Sequence, residues 1–215
     1  FGKEETARSI EKYELGRLSI HQSVMLDRIK KTNLRLKGFL KTGIDTLGMA
    51  GELSNTESSL AIVEEGVFVN TATIQTQRNL AVSSAILKEL LNRLTQRKNI
   101  IDQYHSSLIS YQYQVDSLSA DSALYTFPDD SVMLSNYLKR IIVVATEMKP
   151  VDSAMKQAIV NVEELQHKVD QMVVRLNSKL EDLNLYQRKL SAQMFTREIP
   201  GLDEPLNFSR PFSEI

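Results

Sequence analysis

Between Asn79 and Ala120 apolar or small side chains return at alternating steps of three and four: Leu80, Ser84, Leu87, Leu91, Leu94, Ile101, Tyr104, Leu108, Tyr111, Val115 and Leu118. One beat is missing near Arg97 and Lys98. That spacing lays the residues along one side of a helix. About 42 residues at about 1.5 Å each make a helix roughly 60 Å long, beyond the reach of a compact domain. Only other long helices can cover such a stripe from end to end, so the chain is expected to be a coiled coil or an extended bundle.

A partner stripe runs from Val151 to Phe195, through Met155, Ile159, Val162, Leu165, Val169, Met172, Leu176, Leu180, Leu183, Leu190 and Met194. Between the two stripes, Pro128 with Asp129 and Asp130 predicts a new helix running to about Glu147. Pro150 then either starts the next helix or kinks a continuous one, and the sequence leaves both open. Upstream, Glu4 to Leu47 reads as a third long helix with Leu26, Ile29, Leu36, Leu40, Ile44 and Leu47 on one side, loosened by Gly43, Gly48 and Gly51. Ser54-Asn55-Thr56-Glu57 offers a cap for a short helix to about Glu65, and Gly66 to Gln77 reads as a loop or short extended piece. The expected fold is all-α: an elongated antiparallel, coiled-coil-like bundle of three long helices plus two short ones. It fills residues 1–195, and the proline-bearing stretch 196–215 is a linker.

Composition agrees with long uninterrupted helices. Eight Gly and five Pro are few for a chain of many turns, and the first proline, Pro128, lies past the middle. A formal net charge of −1 gives no global reason to bind nucleic acid. Zero cysteines exclude disulfides, a thiolate metal site and a Cys nucleophile, and fit a reducing or an oxidising compartment equally. The densest apolar run, Ile141 to Ala145, is far short of the roughly 20 residues that span a bilayer. A start at Phe1, with no initiator Met and no basic-then-apolar leader, is expected of a fragment or a mature segment.

Signs of chemistry are sparse. His21, His105 and His167 fall on different predicted helices with no companion at i+3 or i+4, so none encodes a metal site locally, although His105 lies beside the seam next to Tyr104. Ser153-Ala154-Met155-Lys156 and Lys41-Thr42-Gly43 mimic the S-x-x-K and K-T-G pair of penicillin-recognising enzymes, but in reversed order and in helical patterns. Gly38 and Gly43 have the glycine spacing of a phosphate loop without its Lys and Ser or Thr. Asp121, Asp129 and Asp130 lack the spacing and the terminal Glu of a calcium loop, and helix capping accounts for Asp129 and Asp130. The strongest electrostatic signal is Arg28, Lys30, Lys31, Arg35, Lys37 and Lys41, six bases with no acid among them. They flank the apolar stripe, as charges on any solvated helix do, or they meet lipid headgroups. No catalytic residue, cofactor or metal is expected.

Several phrases resemble stretches of a known family: Glu11-Lys12-Tyr13-Glu14-Leu15-Gly16, Ile44-Asp45-Thr46-Leu47, Arg78-Asn79-Leu80, Ile86-Leu87-Lys88-Glu89-Leu90-Leu91, Val151-Asp152-Ser153-Ala154 and the ending Arg210-Pro211-Phe212-Ser213-Glu214-Ile215. Together, over nearly the whole chain, they resemble the N-terminal extracytoplasmic helical extension of large bacterial mechanosensitive channels of the small-conductance, MscS-like family. The resemblance implies a periplasmic segment of an inner-membrane protein that relieves osmotic pressure, with 196–215 leading to the first membrane helix. It also implies a homo-oligomer in which the partners are the channel region and sister subunits. The pore helix and cytoplasmic β-domain of that family are not in this sequence. Two other classes fit a helical chain of this kind: the extracytoplasmic sensor of a chemoreceptor or histidine kinase, which needs a polar ligand pocket between helices, and a cytoplasmic coiled-coil scaffold.

Overall fold

The computed structural model describes residues 2–69 and 76–198. Three long helices, packed antiparallel, dominate, and no strand occurs among the described residues. Helix α1 is Gly2–Thr42, α2 is Thr46–Glu64 followed by a π-helical turn at Glu65–Val69, and α3 is Gln77–Ser119. After one 3-10 turn at Ser122–Tyr125 comes α4, Ser131–Glu198. The chain divides into two compact units, one made of 1–50 and 97–168, the other of 51–96 and 169–215.

Helix α3 serves both units with a strict seven-residue column. Leu80, Leu87 and Leu94 are buried in the second unit, and Ile101, Leu108 and Val115 in the first. A seven-residue return keeps one edge of the helix against its partners, and each such side chain contributes roughly 1.5–3 kcal/mol on leaving water. The beat missing near Arg97 and Lys98 belongs to a neighbouring row, so the main column passes it intact.

In the first unit α1 runs antiparallel to α3: His21 meets Asp121 near the end of α3, and Phe39 stacks on Tyr104 at 4.9 Å farther back. Helix α4 also opposes α3, with the Gln166 amide donating to Asp102 and Glu163 lying beside His105. Met25, Leu26, Ile29, Leu124, Tyr137 and Val144 form the core of this unit. In the second unit Met49, at the edge of the first, is followed along α2 by Leu53, Thr56, Leu60, Val63 and Val67, all buried at steps of three and four. Arg175 of α4 pairs there with Glu57 at 3.1 Å, and the Lys179 ammonium sits 5.4 Å from the Phe68 ring centre.

Three expectations need correction. The first long helix stops at Thr42 instead of reaching Leu47, because Gly43 takes φ +56°, a left-handed conformation that ends helices at little cost only for glycine. Leu47 consequently lies in α2 and is 86% exposed. Second, the expected cap at Ser54 to Glu57 is helix interior. Thr56 and Ser58 return their hydroxyls to the carbonyls of Glu52 and Ser54, at 2.8 and 3.0 Å. The cap is Asp45, whose Oδ1 accepts the Gly48 N–H at 2.9 Å, and a Cβ on Gly48 would overlap that carboxylate. Third, the choice left open at Pro150 falls to the continuous helix: the stretch to about Glu147 is the first part of α4, which passes through Pro150 and is bent. An apolar column continues across it, through Tyr137, Val144, Val151, Leu165 and Met172, and beyond it Met155, Val162, Val169, Leu176 and Leu183 form a second. Pro150 withholds an N–H from the preceding turn, and there the Asn33 amide of α1 donates to the Glu147 carbonyl at 3.2 Å.

The π-helical turn takes Gly66 to Val69, residues expected in a loop or extended piece, while residues 70–75 lie outside the described residues. Helix α4 runs through Thr196 to Glu198, and the rest of the expected linker, 199–215, also lies outside them.

Leu108→Ala, at a fully buried column position, is expected to destabilise the protein by about 2–5 kcal/mol, and Tyr113→Ala, on the exposed side of the same helix, by less than about 0.5 kcal/mol. Urea unfolding of the two variants checks the pair, and equal losses would show that the column is not the core.

Candidate functional site

The link between α3 and α4 is built by side chains reaching backbone. Asp121 Oδ1 accepts the Ala123 N–H at 2.9 Å, which starts the 3-10 turn, and Tyr125 donates its hydroxyl to the Ser119 carbonyl at 2.8 Å. Asp130 Oδ1 accepts the N–H groups of Val132 and Met133, both at 2.9 Å, and so caps α4. From α1, buried Gln22 donates to the carbonyls of Ala123 and Thr126, both at 2.7 Å, and His21 Nε2 lies 3.2 Å from Asp121 Oδ2. Buried Tyr137 of α4 donates to the Leu124 carbonyl at 2.9 Å, and burial pushes its hydroxyl pKa upward. Hydrogen bonds from Ala123 N–H and His21 hold the Asp121 carboxyl below its ordinary value.

This clasp frames an open cleft of about 420 Å³ in the first unit. Leu26 and Ile29 of α1, Leu124 of the link and Ile141, Val144 and Met148 of α4 line it, with Ser119, Lys149 and Asp152 also on its wall. Two rings on its wall, Tyr125 and Phe127, are exposed to 65 and 52%. A second cavity of about 270 Å³ lies between Leu15, Leu18 and Gln22 of α1 and Pro128, Met133 and Arg140. The larger cleft is dominated by carbon, so it suits an apolar side chain or an alkyl chain.

Most residues flagged by the sequence turn out to have structural partners. His105 faces Glu163, its buried Nε2 3.4 Å from the carboxylate but outside hydrogen-bonding geometry, and its neighbour in sequence, Tyr104, stacks on Phe39. His21 serves the clasp, His167 lies on α4, and no group of three His, Cys, Asp or Glu among the described residues could hold a metal ion. Lys156 pairs with Asp152 at 2.7 Å, and that hydrogen bond raises its pKa, so it is a charged partner of an acid and not a base beside Ser153. Thr42 donates to the Gly38 carbonyl at 3.2 Å and Gly43 ends the helix, which leaves Lys41-Thr42-Gly43 as a helix terminus and Gly38 in helix interior. Of the two aspartates read as caps, Asp130 caps α4 and Asp129 borders the second cavity, while Asp121, not read as a cap, starts the 3-10 turn. Arg28, Lys30, Lys31, Arg35, Lys37 and Lys41 are all exposed on α1.

Sequence reasoning missed Gln22 and the cleft. A polar residue four and seven places before Leu26 and Ile29, in phase with the stripe, was the available signal for the first. The cleft has none, because it depends on where the 3-10 turn places Leu124. No family model, curated protein or solved structure matches the chain.

Two outcomes test the clasp. Gln22→Leu strips a shared donor from two carbonyls and is expected to cost about 2 kcal/mol in urea unfolding. Asp121, with its folded pKa lowered below the ordinary 3.8, adds stability that is present above that value and lost as pH falls through the folded pKa. Asp121→Asn should therefore lower stability at neutral pH and flatten the fall of Tm below about pH 4. An unchanged acid limb would exclude Asp121 from this role.

Proposed function

We propose that this chain is a non-catalytic helical domain that acts through contact, and that it is the extracytoplasmic part of a mechanosensitive ion channel of the MscS-like type. In that role it adjusts how the channel opens or assembles during osmotic stress. The observation that carries the reading is open apolar surface: a cleft with exposed Tyr125 and Phe127 on its wall, and exposed Ile10, Tyr13 and Ile20 on α1. Apolar surface left open on a folded domain serves binding rather than chemistry. The all-helical fold and the phrases along it supply the channel assignment by resemblance.

No helix among the described residues is long and apolar enough to cross a membrane, so on this reading the pore is formed elsewhere in the protein. The sensor-domain alternative requires a polar pocket between helices, and the larger cleft is apolar.

Patch recordings of the intact protein and of a form lacking residues 1–195 test the proposal. Both are expected to conduct, with the tension for opening shifted in the truncated form. Absence of any tension-activated current from the intact protein would defeat the channel assignment.

A further inference from the structure

The packing of α1 decides which of its sides faces outward. Ile29, Asn33 and Leu36 are buried against the first unit, so at about 100° per residue the opposite side between Asp27 and Thr42 faces solvent. On it Lys30, Lys37 and Lys41 form one row and Arg28, Lys31 and Arg35 another, with Leu34 between them, 68% exposed. The six cations span 14 residues, about 20 Å of helix. Asp27 is the one acid between residues 27 and 42. None of the six makes an ion pair among the described residues, and nearby Arg140 of α4, bonded to Ser23 at 2.9 Å, adds a like charge.

Six unpaired cations on a chain of net charge −1 are a local field, not a global one. Like charges crowded on a helix repel, and an anionic surface relieves that repulsion. We propose that the outward side of α1 from Arg28 to Lys41 docks on an anionic phospholipid surface, with Leu34 entering the headgroup layer between the two rows. Nucleic acid is the poorer fit, because this side carries no aromatic ring to stack on bases. Phe39, the one aromatic of the segment, is engaged with Tyr104 and Tyr111. An exposed Leu gains from the headgroup and acyl boundary and nothing from a row of phosphodiesters. The proposal does not rest on the channel reading, since it is tested with the chain alone.

Residues 1–215 are sedimented with vesicles of phosphatidylcholine, or of phosphatidylcholine with about 30 mol% phosphatidylglycerol, across a salt series. Binding is expected to the anionic vesicles only and to fade with salt. At about fivefold per cation, Lys31→Gln with Arg35→Gln should weaken binding roughly thirtyfold, and so should Lys30→Gln with Lys37→Gln. The control pair Lys88→Gln and Lys189→Gln, exposed on α3 and α4, should leave it unchanged. All these substitutions are on exposed helix positions, and circular dichroism confirms equal helicity. Equal binding to both vesicle types, no binding to either, insensitivity to both α1 pairs, or an equal effect of the control pair overturns the proposal. So does tighter binding of a single-stranded oligonucleotide, or release by inorganic phosphate beyond that by chloride of equal ionic strength, which would indicate a discrete phosphate site.

Discussion

The seven-residue column of α3 is the constraint on which the other elements depend. Leu80, Leu87 and Leu94 fix where α2 and the second part of α4 can lie in one unit, and Ile101, Leu108 and Val115 do the same for α1 and the first part of α4 in the other. Helix α4 offers each unit its own matching edge, built from two adjacent columns. Tyr137, Val144, Val151, Leu165 and Met172 are buried on one, and Met155, Val162, Val169, Leu176 and Leu183 on the other.

Within that frame, polar groups at buried positions tie α1 down at particular places. Gln22 binds two carbonyls of the α3–α4 link, and Asn33 binds one beside Pro150. An apolar seam alone tolerates sliding by a turn, whereas a buried amide that meets its carbonyls in one register penalises every other. Polarity in the seam therefore selects register at some expense in hydrophobic burial.

Periodicity made α3 and the second part of α4 legible in the sequence because both carry one dominant stripe over many turns. Boundaries were legible where a side chain acts on its own backbone, as at Asp130. They were misread where two local signals competed. At Ser54 to Glu57 the residues suit a cap, but Leu53, Leu60 and Val63 bury a continuous stripe, and that packing carries the helix through them. At Pro150 the local rule allows a start or a kink, and Val144 and Val151 on either side decide for continuity. The cleft and the Asp45 cap depend on the placement of a turn and on the left-handed Gly43, neither of which a hydrophobic pattern records. The six bases were visible as a charge run, but which way they face followed only from the burial of Ile29, Asn33 and Leu36.

Helix α1 joins two regimes along one element. From Gln22 to Leu36 it is fixed by buried contacts, while between Glu4 and Ile20 only Leu18 is even partly buried. A helix of about 17 residues with no packed face is marginal in water, so the first part of α1 persists mainly as a continuation of a turn already formed at Gln22. Its backbone bonds are thus among the weakest of the described helices, and local opening there leaves the core of the first unit undisturbed. The clasp sets the limit of that opening: Gln22 and His21 hold the chain where support begins. Weakening the clasp consequently does more than remove two hydrogen bonds, because it moves the boundary between supported and unsupported helix toward Met25 and Leu26, the residues that floor the apolar core.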